Sequence, residues 1–261
     1  MDHRPSKTIE DYLQVMHYMT RDGVPIIGAR LAKRFEVTPP TVTATLKRMS
    51  RDDLIQVDGQ KVVHLTDEGR EQAESIVRRH ALAERLLTDI LGLGWSESHE
   101  EAHLVEHVIS AKVEQRLMQV LGNPTRCPHG NPIPGTGAVP SPHAFALSEA
   151  RAGQQVVVER IVEEAEDDLD LMAYYERSGI VPRARLSVAD VSPAAGLLMV
   201  EREGVRIALG TPAASQVRVL DLADAELDPE FAPRTARREP AAYAERIREL
   251  AAGNGDRPGT P

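Results

Sequence analysis

The first 65 residues carry a punctuation pattern that few folds can accommodate. Ile9, Leu13, Met16 and Met19 recur at helical spacing, and Asp22-Gly23 ends the run. A shorter helical stretch follows, Ile27 to Phe35. Thr38 then stands as a capping residue ahead of Pro39 and Pro40, which suit a first helical turn, and Val42, Leu46 and Met49 continue at helical spacing. Leu54 to Val57, the turn signal Asp58-Gly59 and Lys61 to Leu65 read as a β-hairpin. Helix, turn, helix, hairpin is the plan of a winged helix-turn-helix.

Charge is consistent with that plan only when it is read along the chain. The net charge is -9, which taken alone argues against a polyanion partner. Residues 1 to 79, however, hold 13 Lys and Arg against 12 Asp and Glu, and four of the five lysines lie before residue 62. The acidity belongs to the rest, so the cations suited to phosphate contact gather at the front. The helix from about Thr38 to Ser50 is the expected reader of a double-stranded operator. Thr38, Pro40, Thr41 and Thr43 lie nearest the bases, and Lys47, Arg48 and the wing residue Lys61 are placed for phosphates. Few of these side chains make bidentate base contacts, so methyl contacts and DNA shape are expected to contribute to operator choice.

A chain of 261 residues exceeds what one hydrophobic core usually supports. The expected fold class is α+β, with residues 1–74 as the winged module, 75–142 as an all-α domain ending in a Pro-rich linker, 143–229 as a small β-barrel, and 230–261 as a tail. Thr66 is positioned to cap a helix running to about Leu91 and stopping at Gly92. A second helix is expected from Ser98 to Gly122, with Ser98 and Glu101 as a capping box. Pro124 to Pro142 cannot sustain a helix or an interior strand. Strands are expected at 155–162, 186–191, 197–201, 205–209 and 216–220, with a helix near 169–176 and another at 240–251. No apolar run approaches the ~20 residues of a membrane span. No export signal is recognised at the N-terminus, and the single cysteine, Cys127, has no internal disulfide partner. A cytoplasmic protein without a membrane partner is expected.

The chemistry concentrates in the middle. At about 100° per residue, His99, His103, Glu106 and His107 project at about 0°, 40°, 340° and 80° on one helix. His80 and Glu84 stand one turn apart on the preceding helix, in line with Ile76, Val77 and Leu87. A single His or Glu in such a stripe is ordinarily a satisfied core or edge residue. Six together would be costly to bury without a cation, and a divalent metal satisfies them. A rival reading takes His99-Glu100-Glu-Ala-His103 as the HExxH motif of a zinc peptidase, with Glu100 activating water. That motif matches often by chance and leaves the surrounding carboxylates unexplained. A third reading is a DNA-binding protein indifferent to metal, with a structural His/Glu cluster.

The ordered set of a winged helix-turn-helix, Arg79-His80-Ala-Leu-Ala-Glu84, His99 to His107 and Gly130-Asn-Pro-Ile-Pro-Gly135 resembles the diphtheria-toxin-repressor family of iron- and manganese-dependent regulators. Residues 146–153 and 179–185 resemble the SH3-like, FeoA-like domain of its longer members. The resemblance implies a homodimeric repressor on palindromic operators of metal-homeostasis genes, with two metal sites per subunit. One would use His80, Glu84 and His99, completed by Glu163 and Glu166. The other would use Asp11, His103, Glu106 and His107. Iron-type members have Met at the position of Asp11, Cys at that of His103, and a glutamine at that of Ala44. No sulfur ligand remains in the second site, which makes manganese the expected metal. Iron is the alternative, and zinc or cobalt could substitute in vitro. Manganese-type members usually carry Glu where His103 and Gln14 stand.

Three residue groups have blander readings. Thr8 and Asp11 have capping-box spacing, which would make Asp11 a helix cap. Cys127 reads as a bystander thiol, and Glu163 to Asp170 as a solvated acidic face. Val113, Leu117, Val120 and Leu121 offer an apolar strip for either a dimer interface or the subunit core.

Overall fold

A computed structural model describes residues 5–227, which fall into two compact units: 5–80 with 106–109, and 81–105 with 110–227. The expected helix at 240–251 and the tail lie outside the described residues.

In the first unit, α1 (Lys7–Arg21) buries Ile9, Tyr12, Leu13 and Met16 on one face. It ends where the Asp22 amide donates to the Tyr18 carbonyl and Gly23 takes φ +68°. The two-residue β1 (Ile26–Ile27) leads into α2 (Gly28–Arg34) and α3 (Pro39–Arg51). Leu31, Val42 and Met49 point inward, and Tyr12 stacks on Phe35 with ring centroids 4.2 Å apart. Each fully buried Leu or Met here contributes about 1.5–3 kcal/mol. The Thr38 hydroxyl does not cap α3 but pairs with the Thr41 hydroxyl at 2.9 Å.

The wing is β2 (Ile55–Val57) and β3 (Val62–Leu65), paired Ile55 to Leu65 and Val57 to Val63. β1 adds to β3 as a third strand that the sequence pattern did not indicate. In the turn, the Asp58 carboxylate accepts from the Gln60 and Val62 amides. The left-handed position falls on Lys61, φ +63°, rather than on Gly59.

His17 on α1 supplies a pH prediction. Burial, then Arg21 and Arg70, push its pKa from 6.5 to about 4. The unfolded chain therefore takes up this proton first as pH falls. The stability due to a neutral His17 is complete above pH 6.5 and is lost between 6.5 and about 4. His17→Gln should flatten the fall in urea midpoint over that window; an equally steep fall in the variant would refute the assignment.

The long helix α4 (Asp67–Arg85) starts as expected, with the Gly69 amide donating to the Thr66 hydroxyl at 3.0 Å. Its last part belongs to the second unit, where a π-helical turn (Leu86–Ile90) leads to Gly92 at φ +74°. The expected helix from Ser98 to Gly122 is interrupted. It consists of α5 (Ser98–Val105), a 3₁₀ turn (Glu106–Val108) and α6 (Ala111–Val120). Ser110 causes the restart, since its hydroxyl accepts from the Val113 amide. The expected capping box is absent as well, because the Ser98 hydroxyl donates to the Trp95 carbonyl. The apolar strip divides: Leu121 packs on Leu82 with Leu117 half-buried, while Val113 is exposed.

Residues 124–142 form neither helix nor named strand, but they are not a solvated linker. Arg126, Cys127, His129, Asn131 and Ile133 are buried. The rest of the unit is an antiparallel sheet of β4 (Phe145–Ala146), β5 (Gln155–Ile161), β6 (Arg185–Ser192), β7 (Leu197–Arg202), β8 (Val205–Gly210) and β9 (Val217–Asp221), in the order β4-β9-β5-β6-β7-β8. Alternate residues such as Val156, Val158, Val188, Val200, Leu209 and Val219 fill its core with Met172 and Tyr175. Bulges at Val158/Arg160 and Val188/Asp190 bend the strands. Short helices α7 (Glu163–Glu166), α8 (Leu169–Ser178) and α9 (Thr211–Ser215) connect them and α10 (Leu222–Leu227) follows β9; of these only α8 was expected. No helix among the described residues is long and apolar enough to cross a membrane.

Candidate metal centres and nucleic-acid face

Two donor clusters form, one in each unit. In the first, the residues are brought together by α1, α4 and the 3₁₀ turn. Donor atoms of Asp11, Glu106 and His107 lie within 4.8 Å of one another. The His107 Nε2 is 3.1 Å from the Asp11 carboxylate and 3.3 Å from that of Glu106. Its Nδ1 pairs with Glu10 at 2.7 Å, and the other Glu10 oxygen accepts from the Arg79 guanidinium at 2.8 Å. The His80 Nδ1 meets a Glu106 carboxylate oxygen. Burial raises the Asp11 carboxyl above its ordinary range; His107 pulls it back, and Glu106 adds to the rise. Asp11 does not cap α1, which begins at Lys7 after Ser6. His103 is not among this group and belongs to the second unit, where its ring meets His99 edge-on at 4.7 Å.

In the second unit, the His99 Nδ1 lies 3.1 Å from Glu84 and 3.0 Å from Glu166. Glu166 comes from α7, a helix of four residues in which Glu163 and Glu166 turn inward while Glu164 stays exposed. Only part of the acidic run is therefore solvated. Glu163 is buried but lies outside the donor groups. Glu100, the residue a peptidase would need beside the metal, is exposed.

Sequence reasoning missed two contributors to these clusters. Glu10 lay hidden beside Asp11, although its one-residue offset on α1 aims it at the far nitrogen of His107. His129 was passed over inside a Pro-rich stretch. Its Nδ1 is 3.2 Å from Glu84 and 3.4 Å from Glu166, while its Nε2 meets the Trp95 carbonyl at 3.0 Å. Burial lowers the His129 pKa, but Glu166 and Glu84 together carry it well above 6.5. Glu166 is held down at about 2; burial opposes this, and His129 is the chief cause. The Cys127 thiol, raised by burial to about 12, joins Glu84 and His129 within 4.8 Å. The Cys-x-His spacing was the available signal.

Both donor sets fit a divalent cation. Each gathers carboxylates and imidazoles in a largely buried space, where a bound cation offsets the cost of burying several carboxylates together. On α3, Thr38, Pro40, Thr41, Thr43, Ala44, Lys47 and Arg48 are all exposed, opposite the buried Val42 and Met49, and Lys61 is exposed on the wing. The Arg48 guanidinium donates to Ser6 at 2.6 Å.

Three family models match in sequence: the iron dependent repressor N-terminal DNA binding domain over residues 5–63, its metal binding and dimerisation domain over 66–135, and the FeoA domain over 145–220. The iron-dependent repressor IdeR of Mycobacterium leprae is 43% identical over 203 residues, covering 74% of this chain and 88% of that protein. A solved manganese-dependent transcriptional repressor in complex with manganese superposes with a TM-score of 0.73 at 35% identity, covering 82% of this chain and all of the other. ScaR with bound Zn2+ superposes at 0.70 and 31% identity, covering 84% and 100%. The chain belongs to the iron-dependent repressor family, the metal-dependent DNA-binding repressors that include the diphtheria toxin repressor.

Proposed function

We propose that this protein is a manganese-responsive repressor, cytoplasmic and homodimeric, acting on palindromic operators of metal-homeostasis genes. In this reading residues 1–74 read DNA, 75–142 bind metal and pair subunits, and 143–229 form the SH3-like domain. The observation that carries it is Asp11. It stands on α1, whose other face shares a core with α3, and its carboxylate lies with Glu106 and His107. The donors there are oxygen and nitrogen only, a set that suits manganese better than one containing thioether or thiolate. A bound divalent cation supplies the charge that lets these carboxylates stay ionised together. Asp11 then ties α1 to the 3₁₀ turn and favours one arrangement of the reading helices. Through linkage, operator DNA tightens metal binding by the same factor. The second cluster is read as a further metal centre.

Iron is the second reading, favoured by the 43% identity to an iron-dependent repressor. The test is binding to duplexes selected from a random pool by the manganese-loaded protein. Binding should vanish with chelator, return with Mn2+, and weaken about tenfold or more in Asp11→Ala, a loss of about 1.4 kcal/mol. Return with Fe2+ but not Mn2+ would support iron. Binding indifferent to metal would refute both.

A further inference from the structure

We propose that the second unit binds a small dianion carrying carboxylate or phosphate groups, in a cavity between the end of α8 and the β7–β8 hairpin. The cavity shares no residue with either donor cluster, and the inference is independent of the metal-responsive reading.

Charge carries the argument. Residues 143–229 hold 8 Arg and no Lys against 16 Asp and Glu. Three of those eight arginines, Arg177, Arg202 and Arg206, nevertheless line one cavity of about 400 Å3 together with Tyr174, Ser178 and Ile207. That volume lies within the ~300–1,000 Å3 of small-molecule sites. Converging guanidiniums repel one another unless carboxylates answer them, and here the answer is partial. Among the described residues Arg177 makes no hydrogen bond or ion pair, and Arg206 reaches only Glu201, at 3.9 Å. Arg202 meets Glu203 at 3.1 Å, but the Glu203 side chain is 78% exposed, and so loose a surface pair contributes little. An anion held between Arg177 and Arg206 relieves their repulsion through charge-assisted hydrogen bonds.

The walls are fixed before any ligand arrives. The Tyr174 hydroxyl donates to the Ala208 carbonyl at 2.6 Å, which ties α8 to the edge strand β8. α8 ends at Gly179, φ +70°, where a Cβ would lie 1.7 Å from the Arg202 Nη1. The Arg202 guanidinium therefore occupies the space that the missing side chain leaves beside the C-terminus of α8, where a cation suits the helix dipole. Arg202 is thus committed to the helix end and to Glu203. Arg177 and Arg206 remain for a ligand, and two uncommitted cations match two negative charges. The Ser178 hydroxyl, which makes no hydrogen bond among the described residues, is a further donor on the same wall. Planar guanidinium forks fit carboxylate and phosphate oxygens alike.

Calorimetric titration of the full-length, metal-free protein with succinate and, separately, with inorganic phosphate at constant ionic strength tests this. At least one of the two should bind once per chain with a Kd of about 1 mM or lower, and the monoanion acetate about tenfold more weakly or worse. Succinate alone assigns the site to dicarboxylates and phosphate alone to phosphates; both together assign it to the shared dianion chemistry. Arg177→Gln and Arg206→Gln should each weaken binding about tenfold. Arg151→Gln, an exposed change outside the cavity, should leave it unaltered. Failure of both dianions to bind below about 10 mM overturns the proposal. So does acetate binding as tightly as the dianions, equal weakening in all three variants, or undiminished binding in the double variant Arg177→Gln/Arg206→Gln. Mn2+-driven operator binding is scored separately, and neither result decides the other.

Discussion

Arg79→Met should cost the first unit about 3–5 kcal/mol, because it leaves a buried carboxylate without its cation. Arg79 and Glu10 are 2% and 3% exposed, and the guanidinium meets Glu10 at 2.8 Å. The remaining Glu10 oxygen holds the His107 Nδ1 at 2.7 Å. The chain Arg79, Glu10, His107, Asp11 is therefore one electrostatic unit, in which the guanidinium fixes the carboxylate that fixes the imidazole. Two measurements separate stability from metal binding. Denaturant unfolding of the metal-free protein reports the first. The double variant Arg79→Met/Glu10→Met should recover much of the loss, since an apolar pair replaces the ion pair rather than half of it. Manganese affinity reports the second and should fall about 10–100-fold in both variants, the usual effect of removing an orienting partner of a metal-bound histidine. A single variant within about 0.5 kcal/mol of wild type would mean that Glu10 does not depend on Arg79.

What was legible in the sequence differs between the two clusters for a physical reason. Local patterns report local structure. The α1 and α3 stripes, the Thr66 cap and the wing hairpin each follow from residues within a turn or two, and all five longer strands of the sheet lie within two residues of their expected bounds. Asp11, Glu106 and His107 converge without His103, and Glu106 and His107 lie not on one straight helical face but on the 3₁₀ turn between α5 and the Ser110-capped start of α6. The cap was readable only as one serine in an otherwise amphipathic stretch. The second cluster depends on pairings made across 37 to 45 sequence positions between Glu84, His129 and Glu166. Proline and glycine in residues 124–142 exclude regular structure, but they do not say whether the irregular backbone is wet or packed. Here Arg85 and Arg126 satisfy its carbonyls and the Asn131 amide donates to Glu166, which allows the loop to be buried. The same holds for Glu163 and Glu166: an acidic run looks solvated unless a short helix turns alternate members inward.

Gly130→Ala should be the most damaging small substitution in the second unit. Gly130 has φ +92°, where a side chain is strained by about 1–3 kcal/mol. A Cβ there would lie 2.4 Å from the Glu159 carbonyl oxygen and 2.9 Å from the Arg160 Cα. Both are backbone atoms of β5, so no rotamer change relieves them, and either the loop or the strand must move. The loop is the weaker partner, yet it is held by the His129 carbonyl to the Ile161 amide and by the Asn131 side chain to the Ile161 carbonyl. Breaking those contacts displaces His129 and Cys127 together. The expected loss is about 3 kcal/mol or more, read by denaturant unfolding. Gly137→Ala is the matched control on the same segment: φ is +83°, and nothing lies within 4 Å of its Cβ. It should cost only the strain of the left-handed conformation, about 1 kcal/mol. Equal losses in the two variants would show that backbone strain alone matters at Gly130 and that the close approach to β5 does not.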